Sequence, residues 1–214
     1  MKTIWTFGDS FTFGHGCRPD GPLSEYFHEY KSNDDDIIWP EILSKKLECK
    51  LVNLGKCGAS NDHIFDSIIE NYPQIKEDDI VIVNKTFSQR FDVPNNLGNQ
   101  LQSITAEHYN SVLFWSKSLN KSVEETETII NFAYYFSGHE LYEKRQENRY
   151  KFIKSIVKCH KYYEHKTTDI LKSEFESISE HTKRRIIDGH LSFNGHKQLA
   201  KFIYSKLFPE NNIL

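Results

Sequence analysis

Ser10 stands between a short apolar stretch, Lys2-Thr-Ile-Trp-Thr-Phe7, that reads as a buried strand, and a glycine-rich break, Phe11-Thr-Phe-Gly-His-Gly16. A serine at such a junction is well placed for attack, because ligands of open α/β sheets bind at the carboxyl ends of the strands. Its hydroxyl is a poor nucleophile until a neighbouring base takes the proton. The far end of the chain offers that base in Asp188-Gly-His-Leu-Ser-Phe-Asn-Gly-His196. His190 is the candidate, with an acidic residue two positions before it. Asp188 would fix the imidazole tautomer and stabilise the imidazolium formed on proton transfer. The competing readings are a plain turn or cap role for Ser10 and a structural loop role for His190.

Gly8-Asp9-Ser10 near the start, paired with Asp188-Gly189-His190 near the end, resembles the SGNH (GDSL-type) hydrolase family. The resemblance implies a flavodoxin-like three-layer α/β/α sandwich with a mostly parallel sheet and a Ser-His-Asp triad. It also implies three oxyanion donors: the backbone N–H of the serine, that of a glycine after the second strand, and an asparagine side chain after the third. Ser10 and Gly58, in Gly55-Lys-Cys-Gly-Ala-Ser-Asn61, match the first two. The third block departs from the family, since Gly-x-Asn-Asp is absent and the chain reads Val83-Asn-Lys-Thr-Phe-Ser-Gln-Arg90. Thr86 falls in the asparagine slot and Asn84 in the glycine slot, so both are candidates for the third donor. The Asp-x-His spacing is also one residue shorter than the commoner family pattern. By resemblance the activity is hydrolysis of O-acetyl or other short-chain esters, carbohydrate esters included, without metal or organic cofactor.

Asn61 and Arg90 are the substrate-binding candidates. Arg90 suits a carboxylate or phosphate, with an ion pair to Asp92 as its alternative. His15 and His63 fall near the expected mouth, as do Tyr26, Phe27, Phe87 and Phe91, whose rings suit sugar faces or simple packing. His196 reads as a packing or hydrogen-bonding residue. Two rivals remain: an O-acyltransferase with the same triad, and a binding or structural module that keeps the fold without turnover. A nucleotide-binding turn over Gly8 to Gly16 fits neither the Walker lysine nor the dinucleotide glycine spacing.

A chain of 214 residues suits one domain, 1–214, with a sizeable core. Lys and Arg total 27 against 30 Asp and Glu, a balance that gives no basic field for nucleic acid or anionic lipid. No apolar run reaches the roughly 18–20 residues of a spanning helix. A nucleophile at position 10 leaves no room for a signal peptide, so a cytoplasmic location is expected. The four cysteines, Cys17, Cys49, Cys57 and Cys159, show no metal or redox spacing and read as reduced thiols.

The elements that must carry these residues are legible in the first hundred positions. A helix is expected from Trp39, with Pro40 in its first turn. A strand follows at Leu51–Leu54, then a helix capped by Ser60 or Asn61 and a near-continuous apolar strand at Asp79–Val83. That order implies an open parallel sheet. Residues 15–36 read as a long loop, and 104–118, 123–136 and 140–163 as helices. Residues 100–180 thus form a helical elaboration, either a lid or a homo-oligomer contact. A fourth strand is sought at Ser155–Val157 or Asp169–Leu171. Ser192 caps a final helix with Leu199, Ala200, Phe202, Ile203 and Leu207 on its apolar stripe.

Overall fold

Period-two alternation along the central strands sorts the core into two layers. Strand β1 (Thr3–Gly8) sends Ile4 to one face and Trp5 and Phe7 to the other. Strand β3 (Ile80–Lys85) does the same with Ile80 and Ile82 against Val81 and Val83. The computed structural model describes residues 1–88, 90–94, 101–105, 112–137, 140–182 and 189–211. Among these, β1 and β3 are flanked by β2 (Lys50–Gly55) and β6 (Lys161–Lys166) in a parallel sheet of order β2-β1-β3-β6.

Helices α3 (Trp39–Lys46) and α10 (Phe193–Leu207) cover the first face, with Trp39, Leu43, Leu199, Ala200, Ile203 and Leu207 packed on Ile4, Ile80 and Ile82. Helices α4 (Asn61–Asn71) and α7 (Glu140–Ile156) cover the second through Ile64, Ile68, Tyr150 and Ile153. The result is an α/β/α sandwich on a parallel sheet. Trp39 and Pro40 open α3 as expected. Ser60 caps α4 by accepting from His63 N, and Ser192 caps α10 by accepting from Gly195 N.

The second half corrects several expectations. The fourth strand of the sheet is β6, at neither of the places where it was sought. Ser155 and Ile156 continue α7, whose Tyr150 and Ile153 must reach the sheet, while Asp169–Leu171 belong to α8 (Thr167–Leu171). The helix expected over 140–163 therefore ends at Ile156. The helix expected over 104–118 is instead α5 (Val112–Leu119), and Ile104 and Thr105 belong to a hairpin of β4 (Arg90–Pro94) and β5 (Leu101–Thr105). Helix α6 (Val123–Ser137) matches its expected span closely. The loop expected over 15–36 contains α2 (Ser24–Tyr30), held by Tyr26 against Cys17, Ile38 and Phe193. A four-residue helical turn, α1 (Ser10–Phe13), follows β1, and α9 (Ile178–Thr182) precedes the C-terminal segment. No helix among the described residues is long and apolar enough to cross a membrane.

Candidate functional site

Parallel register brings the segments after the four strands to one edge of the sheet. Gly8 pairs with Gly55, Phe7 with Val83, and Lys85 with Lys166. The chain therefore leaves β1 at Asp9-Ser10, β2 at Lys56–Ser60, β3 at Thr86 and β6 at Thr167. Backbones approach closely here. A Cβ on Gly8 would run into Thr12 Oγ1 and lie 2.8 Å from Asn84 Cβ, so only glycine fits between β1 and the turn that follows it.

Asp9 caps α1 by accepting from Phe11 N, and Ser10 opens it. The turn is tightened by Thr12 N and Phe13 N, both donating to Asp9 O at 3.0 and 2.9 Å. Ser10 Oγ lies 2.7 Å from His190 Nε2, bringing together residues 180 positions apart. The imidazole of His190 lies against the Phe11 ring, centroids 4.9 Å apart, and the His15 ring, centroids 4.0 Å apart. Its backbone is fixed as well, since His190 O accepts from Ile178 N at 2.8 Å. Asp188, the expected orienting carboxylate, lies outside the described residues.

Gly58 occupies a turn in which Ala59 N donates to Lys56 O at 3.1 Å, with φ of +74°, a conformation that favours glycine. A Cβ there would meet nothing within 4 Å. Neither the Ser10 nor the Gly58 amide donates to another described residue.

The third block is organised around a carboxylate. Asp9 is fully buried and accepts five hydrogen bonds. Phe11 N and Asn84 Nδ2 reach Oδ1 at 3.0 and 2.9 Å. Thr86 Oγ1, Thr167 Oγ1 and Arg90 Nη1 reach Oδ2 at 2.8, 2.8 and 3.2 Å. Thr86 thus gives its one hydroxyl hydrogen to Asp9, and Asn84 gives one of its two amide hydrogens. Arg90 also pairs with Asp9 in this structure, and its cation is half of a buried ion pair. Burial pulls the guanidinium below its ordinary range, and Asp9 opposes that pull.

Asn61, the other substrate-binding candidate, is 5% exposed and turned inward. Its Nδ2 donates to Thr86 O at 3.0 Å, and its Oδ1 accepts from Thr86 N and from Tyr150 Oη at 3.0 and 2.8 Å. It clamps the segment after β3 to the start of α4. Among the other histidines, His196 Nδ1 accepts from Trp39 N at 3.3 Å, and burial followed by the charge of His190 lowers its pKa to about 3. His15 Nδ1 lies 3.6 Å from Cys57 Sγ, and burial raises that thiol to about 12. Burial lowers the His63 pKa too. Among the described residues no three His, Cys, Asp or Glu side chains are grouped to hold a metal ion.

Sequence reasoning gave Asp9 no role beyond its place in Gly8-Asp9-Ser10, and it did not register Thr167 or Tyr150. Thr167 was hidden with β6, which it directly follows. A cavity of about 450 Å³ opens beside the same edge, lined in part by Asn61, Thr86, Phe87, Tyr150 and Lys166.

No family model matches the chain, and no curated protein matches it. Among solved structures it is similar to one from Desulfitobacterium hafniense, provisionally assigned as a lipolytic protein of the G-D-S-L family. The two share 14% identity over 95% of this chain and 98% of the other, with a TM-score of 0.38.

Proposed function

We propose that the protein is a serine hydrolase that cleaves short-chain acyl esters, O-acyl groups on carbohydrates among them, through an acyl-serine intermediate. The observation that carries this reading is the 2.7 Å contact between Ser10 Oγ and His190 Nε2 at the carboxyl edge of a parallel sheet.

In the first half-reaction Ser10 Oγ attacks the ester carbonyl carbon while His190 Nε2 takes the hydroxyl proton. The carbonyl π electrons move to oxygen, and the resulting oxyanion is met by the Ser10 and Gly58 amides. Collapse re-forms the carbonyl and expels the alkoxide, which leaves as the alcohol with the proton from His190. In the second half, His190 removes a proton from water as the water attacks the acyl-serine. The acid is released and Ser10 regains its hydrogen. Asp188 is assigned the role of holding the imidazole tautomer during both transfers.

The hydrogen bonds from Thr86 and Asn84 to Asp9 favour a hole of two backbone amides without a third side-chain donor. One missing donor is worth roughly 10²–10³ in rate, so turnover slower than that of a three-donor site is expected. Hydrolysis of p-nitrophenyl acetate by the wild type, abolished in Ser10→Ala and in His190→Ala with both variants folded, is the expected result. Hydrolysis that survives in Ser10→Ala removes the serine from the mechanism. A wild type with no turnover on acetyl or butyryl esters favours a binding module of this fold.

A further inference from the structure

The turn that presents the Gly58 amide is held at both ends, and one of the two holds is Arg90. At its start, Lys56 N donates to Gly8 O at 3.0 Å, which ties the turn to β1. At its end, Ala59 O accepts from Arg90 Nη1 at 3.3 Å. The same nitrogen donates to Thr86 Oγ1 at 2.8 Å and approaches Asp9 Oδ2 at 3.2 Å. One side-chain atom therefore joins the segments after β1, β2 and β3. Asp9 adjoins the nucleophile and Ala59 adjoins Gly58, so Arg90 spans the two residues whose amides must converge on one oxygen.

We propose that Arg90 is a positioning residue that sets the Gly58 amide relative to Ser10, in the place where a third-block side chain would otherwise complete the hole. This rests on the serine hydrolase reading above. The arrangement needs a guanidinium. Its plane lies over Phe87, with Cζ 5.0 Å from the ring centroid, while Nη1 reaches three oxygens. A lysine ammonium is a point charge on a flexible stem and holds no such orientation. The cation also faces the fully buried Asp9, so the clamp is locked by charge as well as by hydrogen bonds.

A displaced Gly58 amide weakens contact with the oxyanion and leaves substrate uptake unaltered. The effect belongs in kcat and not in KM. Arg90→Lys keeps the charge opposite Asp9 and is the variant of choice, assayed below its melting temperature and normalised to folded protein. The expected result with p-nitrophenyl acetate is a fall in kcat of about 100-fold with KM within about twofold. Inhibition by phenylboronic acid, which forms a tetrahedral adduct on the serine, should weaken by a similar factor. A kcat within threefold of wild type overturns the proposal, as does a rise in KM at unchanged kcat, which would make Arg90 a substrate contact. If the wild type itself neither turns over esters nor binds the boronate, the hydrolase reading fails and the proposal fails with it. An active wild type with an indifferent Arg90→Lys sinks the proposal alone.

Discussion

The carboxylate of Asp9 and the guanidinium of Arg90, 81 positions apart, meet at 3.2 Å beside the turn that carries Ser10, with Asp9 wholly removed from solvent. Four further donors converge on the same carboxylate, from Phe11, Asn84, Thr86 and Thr167. Removing one member of a buried ion pair leaves the other charge without compensation. Asp9→Ala should therefore destabilise the fold by roughly 3–5 kcal/mol, read from urea unfolding at neutral pH. Ser10→Ala, which removes a hydroxyl whose side-chain partner among the described residues is His190, should cost no more than about 1 kcal/mol. Equal losses in the two variants would show that Asp9 is not the hub of this edge.

Two buried histidines predict how stability responds to acid. His165 packs between the rings of Trp39 and Tyr163, and neither ring nitrogen has a hydrogen-bond partner among the described residues. Burial lowers its pKa to about 4; Asp169 opposes the shift and Lys85 reinforces it. His196 is lowered to about 3 by burial and by His190. Both are neutral in the fold but titrate near 6.5 once unfolded. The unfolded chain thus binds more protons below pH 6.5, and stability falls as pH drops from there towards 4. Urea unfolding at pH 7.5 and 5.0 should show that loss. In His165→Phe the loss should be smaller, with stability at pH 7.5 equal or up to about 1 kcal/mol higher, because an unpaired polar group is removed. The same acid loss in both proteins would contradict this account of His165.

The two glycines of the site should respond differently to alanine. Gly58 has φ of +74° with open space around its Cβ position, so Gly58→Ala carries backbone strain of about 1–2 kcal/mol and little else. It should stay folded and lose about 10²-fold in kcat, since the strained amide shifts from its position. Gly8→Ala meets Thr12 and Asn84 and should not accumulate as folded protein. Thermal melts beside ester turnover separate the two cases. A fully active Gly58→Ala would remove its amide from the oxyanion hole.

Sequence legibility followed burial. The strands β1 and β3 were readable because each is covered on both faces, which demands an unbroken apolar run such as Ile80–Val83. Strand β6 has the same partner but lies at the sheet edge among the described residues. Its Lys161-Tyr-Tyr-Glu-His-Lys166 keeps polar groups half-exposed, and no apolar period marks it. The meeting of Ser10 and His190 was legible because the proposed chemistry needs particular residue types, and the fold brings the two to 2.7 Å. Thr86 and Asn84 were legible as hydrogen-bond donors, but which acceptor they serve depends on a carboxylate 77 and 75 positions away, respectively. That choice is made by tertiary packing. Arg90 shows the same limit. Asp92 was its nearest acidic neighbour along the chain, and the fold presents Asp9 instead.

Intact-mass analysis after treatment with an alkyl fluorophosphonate tests the central claim most directly, because it requires a serine activated by its histidine and no knowledge of the natural ester. The account predicts one covalent adduct per chain, mapped to Ser10, formed within minutes by the wild type and absent from His190→Ala. No adduct on the folded wild type, or an adduct on Ser10 that forms equally fast without His190, would contradict it.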